Sequence, residues 1–161
     1  MVDKTLFKTD LFASLPFPWP ENLFSDIRKT VTKAKTKLVI LDDDPTGTQT
    51  VHGMPVITNW SISALVAELN NVAPGFFVLT NSRSITRPAA VALSKEIGAN
   101  LRQAVSSTGI SVEVISRSDS TLRGHFPSEV DALLEGMGRP SLPRILIPCF
   151  FEGGRLTAND I

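Results

Sequence analysis

With 161 residues, 42% of them hydrophobic and 20% charged, the sequence has room for one compact domain or a little more and is too apolar for a disordered chain. Lys plus Arg and Asp plus Glu each number 16, a balance that argues against a nucleic-acid coat or a polybasic membrane binder. The single cysteine, Cys149, excludes an internal disulfide framework and a multi-cysteine zinc site, and no apolar run approaches the ~18 residues that span a bilayer.

The first segment, residues 1–36, reads as an aromatic, proline-rich arm followed by a helix. Pro16-Phe17-Pro18-Trp19-Pro20 can be neither helix nor inner strand, because three prolines fix φ and remove donors. Five of the eleven aromatics fall within the first 24 residues, so an uncovered arm would offer an apolar patch and a route to a homo-oligomer. Leu23, Phe24, Ile27 and Val31 then recur at helical spacing, predicting a helix over Glu21 to Ala34. Asp3, Lys4 and Lys8 leave no apolar signal-peptide core, so a soluble, cytoplasmic chain is expected.

Residues 37–161 alternate strand and helix patterns. Leu38 to Leu41, Pro55 to Thr58, Phe76 to Leu79, Val112 to Ile115 and Ile145 to Ile147 read as five short apolar strands. Between them lie helices over Ser61 to Leu69, with Ile62, Leu65, Val66 and Leu69 inward, and over Pro88 to Val105, with Ala90, Leu93, Ile97, Leu101 and Ala104 inward. A further helix starts at Pro127 and runs to Leu134, ended by Gly136 and Gly138. This pattern predicts a three-layer α/β domain. Its sheet is mainly parallel, has about five strands and is covered by helices on both faces.

In open α/β sheets, ligands sit beyond the carboxyl ends of the strands. The polar clusters fall there: Asp42-Asp43-Asp44 after the first strand, Thr80-Asn81-Ser82-Arg83 after the third, Ser116 to Ser120 after the fourth, and Glu152-Gly153-Gly154-Arg155 after the fifth. Three adjacent carboxylates repel one another and need an offsetting charge or proton. An extended backbone would send Asp42 and Asp44 one way and Asp43 the other. Arg83, Arg123 and Arg155 are the expected counter-charges, and their forks suit a carboxylate or phosphate. Asp119 adds an acceptor for ligand hydroxyls, and Gly153-Gly154 admits close backbone approach. Together these groups suit a small polyhydroxy acid. Cys149 reads as core, and His52 and His125 as too few for a metal site, so no metal ligands are expected in this chain.

The same residues allow a different chemistry. Asp42-x-Asp44-x-Thr46-Gly47 after an apolar strand matches the first motif of haloacid-dehalogenase-type phosphatases, with Asp42 as nucleophile, Asp44 as general acid/base and Mg2+ on the acids. The later acidic pair those enzymes need is not evident. A third reading is a non-catalytic ligand-binding or effector module.

The segments LDDDPTGTQTVHG, FFVLTNSRS, EVISRSDSTLRGHFPSEVDAL and IPCFFEGGRLT, in this order, resemble the four-carbon acid sugar kinases, also described as DUF1537 or Hrp-dependent type III effector-like proteins. The resemblance runs from about Leu38 to Thr157. It implies ATP-dependent phosphorylation of four-carbon sugar acids such as threonate, erythronate or 3-oxo-tetronate. It implies two α/β domains, the first holding the sugar acid and the second holding ATP and Mg2+. Asp43, Asp44, Arg83, Asp119, Arg123 and Arg155 fall on the substrate-side motifs, and Gly47, Gly124 and Gly154 on the family's glycines. Asp44 is the candidate general base. Two positions depart from the family's usual residues, Ser116-Arg117-Ser118 before the Asp-Ser-Thr block and His125 after Arg-Gly. The family's ATP domain has no counterpart in these 161 residues, so this chain alone is expected to lack kinase activity. The expected partners are a small sugar acid and the ATP domain, with neither nucleic acid nor membrane.

Overall fold

The computed structural model describes residues 7–17, 20–48, 51–118, 123–147 and 153–154. They divide into two compact units, Met1–Ala34 and Lys35–Ile161.

In the first unit a short helix, α1 (Lys8–Ser14), precedes the proline segment, and α2 spans Phe24–Ala34. The second helix starts three residues later than its periodicity predicts. Asn22 Oδ1 accepts from Phe24 N at 3.0 Å, so the asparagine, not Glu21, satisfies the first orphan donor. The apolar stripe of Leu23, Phe24, Ile27 and Val31 is exposed. Phe17 is exposed as well, and Pro18 and Trp19 lie outside the described residues.

The second unit is an α/β domain with a parallel sheet. Its strands are β1 (Lys37–Asp42), β2 (Val56–Ile57), β3 (Gly75–Leu79) and β4 (Val112–Arg117), in the order β2-β3-β1-β4. Helix α3 (Ile62–Asn70) connects β2 to β3, and α4 (Arg87–Thr108) connects β3 to β4. A short 3-10 turn (Ser82–Ser84) and α5 (Ser128–Gly136) complete the unit. Local chemistry sets these boundaries. Ser61 caps α3 by accepting from Ala64 N, Pro88 sits in the first turn of α4, and Gly109 ends α4 at φ 68°. Gly138, at φ 71°, closes α5, with Gly138 N donating to Glu135 O and Arg139 N to Leu134 O.

The core joins Val39 and Leu41 of β1 and Phe76 and Val78 of β3 to Leu65 and Leu69 of α3, Ile97 and Leu101 of α4 and Leu133 of α5. Strand residues two apart share a sheet face, so all three helices pack on one face. The α/β unit with a mainly parallel sheet is as the pattern predicts. On the opposite face Ile40 and Phe77 of the inner strands are buried, while Ile115 and Val56 of the outer strands are 46% and 45% exposed. The shared side of α3 and α4 follows from connection geometry: β2, β3 and β4 advance in one direction across the sheet, and right-handed crossovers moving one way deposit their helices on one side. The fifth predicted strand is corrected. Residues 145–147 carry no strand, and Ile145 is 90% exposed.

The inward stripes need smaller corrections. Ile62 is exposed, and the buried stripe of α4 includes Ser94 and Gly98. Gly136 is not the terminator of α5 but its last residue, buried against α4. No described helix is long and apolar enough to cross a membrane.

Candidate functional site

Three of the predicted polar clusters meet at the carboxyl edge of the sheet. The register places Asp42 opposite Leu79 on one side and Arg117 on the other, so the residues after β1, β3 and β4 emerge side by side. Thr80 ties the first two segments together. Its N and its hydroxyl both donate to Asp42 O, each at 2.9 Å.

The three aspartates do not alternate. Asp42 ends β1, and the chain then turns, with Gly47 N donating to Asp44 O at 3.0 Å. Extended geometry stops at Asp42, so Asp43 and Asp44 converge on one arginine instead of pointing apart. Arg83 Nη2 donates to Asp43 Oδ1 at 2.9 Å, its Nε approaches Asp43 Oδ2 at 3.4 Å, and its Nη1 pairs with Asp44 Oδ2. This fork holds two acids that would otherwise repel each other. Asp44 Oδ1 also accepts from Thr46 N at 2.8 Å and from Thr46 Oγ1 at 2.7 Å. These Thr46 bonds, then the charges of Arg83 and Arg123, hold the Asp44 carboxyl below the usual carboxylate value.

Asp42 is different. It is fully buried, on the sheet face opposite the helices, and its partner is Arg117, whose Nη1 lies 3.1 Å from Oδ2. Burial pushes its carboxyl above the usual value despite Asp44 N and Arg117. Gly47 lies directly over this pair: a Cβ there would sit 1.8 Å from both Arg117 Nη1 and Asp42 Oδ2, so only glycine fits. A carboxylate with no accessible surface is a poor nucleophile for an incoming phosphate ester, so this geometry does not favour the phosphatase role considered for Asp42.

On the helix side of the edge lies a half-enclosed depression, with about 280 Å³ of empty space counted out to its mouth, of which about 10 Å³ can hold the centre of a water-sized sphere. The hydroxyls of Thr80, Ser82 and Ser116 line it, together with the Asp43 carboxylate. Ser94 reaches it from α4 and Glu129 from α5. His125 joins the segment before α5 to the turn after β3. Its Nε2 stands 3.2 Å from Ser82 O and 2.9 Å from Ile85 O, both acceptors, so that nitrogen carries the proton.

Residues 38–161 match the family model of the sugar-binding N-terminal domain. The chain belongs to that family. No curated protein and no solved structure gives a significant match.

The geometry shows which expected site residues the sugar-binding domain assembles. Asp43, Asp44 and Arg83 form one bonded cluster. Arg123 is exposed, and its charge bears on Asp44; Gly124 follows it, half-buried, beside His125. Gly154 adopts φ 68°, a conformation that favours glycine, with open space where a side chain would stand. Asp119 and Arg155 lie outside the described residues, as do Cys149 and Glu152. Sequence reasoning missed Arg117, Ser94 and Glu129. Strand parity points to the first, because Arg117 shares the face of Glu113 and Ile115 and so faces the same side as Asp42. Helical spacing points to Ser94, four residues after Ala90. Nothing in the sequence places Glu129 opposite Ser94, because that depends on how α4 and α5 cross.

Proposed function

We propose that this chain is the sugar-acid-binding part of an ATP-dependent kinase that phosphorylates four-carbon sugar acids of the threonate, erythronate or 3-oxo-tetronate type. The observation that carries the reading is the Asp43–Arg83–Asp44 cluster at the carboxyl edge of a parallel sheet, beside a depression lined with hydroxyls. Membership of a sugar-binding family and the four sequence segments support it.

On this reading Asp44, 21% exposed and held in its charged form, accepts a hydrogen bond from the hydroxyl that receives the phosphoryl group. Its lowered pKa makes it an orienting acceptor more than a strong base. That suits phosphoryl transfer, which depends mainly on positioning and charge stabilisation. Asp43 and Asp119 serve ligand hydroxyls, while Arg123 and Arg155 take the sugar carboxylate or the transferred group. Arg83 acts by holding the two aspartates. ATP and Mg2+ belong to a second domain. Among the described residues no three His, Cys, Asp or Glu side chains gather into a metal site, so no step is assigned through either group.

Calorimetric titration of the purified chain with D-threonate, L-threonate, D-erythronate and the neutral tetritols tests this reading. Saturable binding of at least one acid, tenfold or more tighter than the matching tetritol, is the expected result. A folded chain that binds none of the acids at millimolar concentration would overturn it. Coupled ATP turnover by this chain alone would overturn the division of labour between two domains.

A further inference from the structure

Two of the polar side chains that line the depression are themselves buried. Ser94 is 2% exposed and Glu129 is 7% exposed, so both are more than nine-tenths buried. The Ser94 hydroxyl makes no hydrogen bond among the described residues. Glu129 receives one, from His125 N to Oε2 at 3.3 Å, which leaves Oε1 without a donor among them. Buried polar groups are nearly always satisfied, and leaving one unpaired is costly because its desolvation is not repaid. Two such groups on separate helices facing one small space mark a place where a polar atom belongs. The depression they line leaves about 10 Å³ for the centre of a water-sized sphere, room for about one oxygen-sized group.

The fold holds this pair at close quarters. Gly98 and Gly136 let α4 and α5 approach until a Cβ on Gly98 would stand 2.3 Å from Leu133 O, and one on Gly136 2.2 Å from Lys95 O. Ser94 lies one turn before Gly98 on α4, and Glu129 lies on the first turn of α5. At the start of both helices, Arg87 Nε donates to Ser128 Oγ at 2.9 Å. Rigid helices thus fix the separation of Ser94 and Glu129, as a recognition element requires.

We propose that Ser94 and Glu129 form a hydroxyl-recognition floor that takes one hydroxyl of the bound sugar, the carboxylate accepting from it and the serine donating to it. The proposal rests on the sugar-binding reading above and adds the residues that set specificity within it. A site built to hydrogen-bond a substrate hydroxyl strongly rejects the analogue lacking it, because its own buried groups are then left unpaired.

The test compares D-erythronate and D-threonate with 3,4-, 2,4- and 2,3-dihydroxybutyrate, each lacking one hydroxyl, by calorimetry on the whole chain. In the wild type one of the three analogues should bind at least tenfold more weakly than its parent acid. Ser94→Ala and Glu129→Gln should each shrink that ratio to about threefold or less. Ser94→Ala also carries a second readout. Removing a buried hydroxyl without a partner should leave the melting temperature equal or higher while parent binding weakens, and a purely structural serine would not separate the two. If Glu129→Gln fails to fold, Ser94→Ala alone decides. Unchanged ratios in a variant that binds the parent acids would overturn the proposal and leave a structural water as the occupant, with the sugar-acid reading intact. Absence of all sugar-acid binding in the folded wild type would overturn both.

Discussion

Gly98→Ala sets two effects of opposite sign against each other. Gly98 lies inside α4, where intrinsic propensity favours alanine by about 1 kcal/mol. The added methyl would meet Leu133 O at 2.3 Å and Met137 N at 3.0 Å, and ordinary contact begins at 3.4 Å. Both neighbours are backbone atoms, so no side chain can swing aside, and α5 must retreat by roughly 1 Å. That retreat loosens Leu133 from Ile97 and Leu101 in the core. Overpacking of this kind costs about 1–3 kcal/mol. The expected net loss is therefore about 0–2 kcal/mol, or at most roughly 8 °C in Tm for a chain of this length. Urea and thermal unfolding followed by circular dichroism measure it. A Gly98→Ala chain more stable than the wild type by the full propensity gain of about 1 kcal/mol would refute the close crossing of α4 and α5, and with it the fixed spacing of Ser94 and Glu129.

Other perturbations probe the aspartate cluster. Arg83→Lys keeps the charge but cannot span Asp43 and Asp44; taking the Arg83 fork away from Asp43, 4% exposed, should cost on the order of 2–4 kcal/mol in urea unfolding. A loss below about 0.5 kcal/mol would mean that the fork is not what holds the acids together. Thr46→Val removes one of the two Thr46 bonds to Asp44, so the Asp44 titration midpoint, followed by carboxyl NMR, should move up towards 3.8. The two acids carry opposite pH signs. Asp44 contributes stability that is present above 3.8 and lost as pH falls through its lower folded-state value. Asp42, with a raised folded-state value, favours the folded state at low pH and loses that advantage as pH rises from 3.8 through the raised value. Asp42→Asn should therefore remove a declining limb of stability above pH 3.8, and an unchanged pH profile would count against burial as the dominant influence on Asp42.

Much of the fold was legible in the sequence because local signals agreed with one another. Apolar runs alternating with helical stripes marked a parallel α/β unit, Ser61, Pro88 and Gly109 marked helix ends, and polar residues at strand ends located the edge where the site forms. The run at 145–147 shows where that logic stops. An apolar, largely β-branched stretch is compatible with a strand, but a strand exists only if a neighbour supplies its ladder, and residues 145–147 have none among the described residues. The side of the sheet on which α3 and α4 lie likewise follows from the direction in which successive crossovers advance.

The site divides in the same way. Residue type and spacing alone pointed to Asp43, Asp44 and Arg83, since adjacent acids demand a counter-charge. Their convergence on one guanidinium required the turn that ends extended geometry after Asp42. Arg117 found its place through strand register, an interaction between residues 75 positions apart. Ser94 and Glu129 come to line one depression through the depth at which α4 and α5 cross, which two buried glycines permit. Chemistry and local conformation are properties of neighbouring residues, and the sequence alone determines them. Which distant groups share a partner, and how large a space they enclose, is decided only when strands register and helices pack.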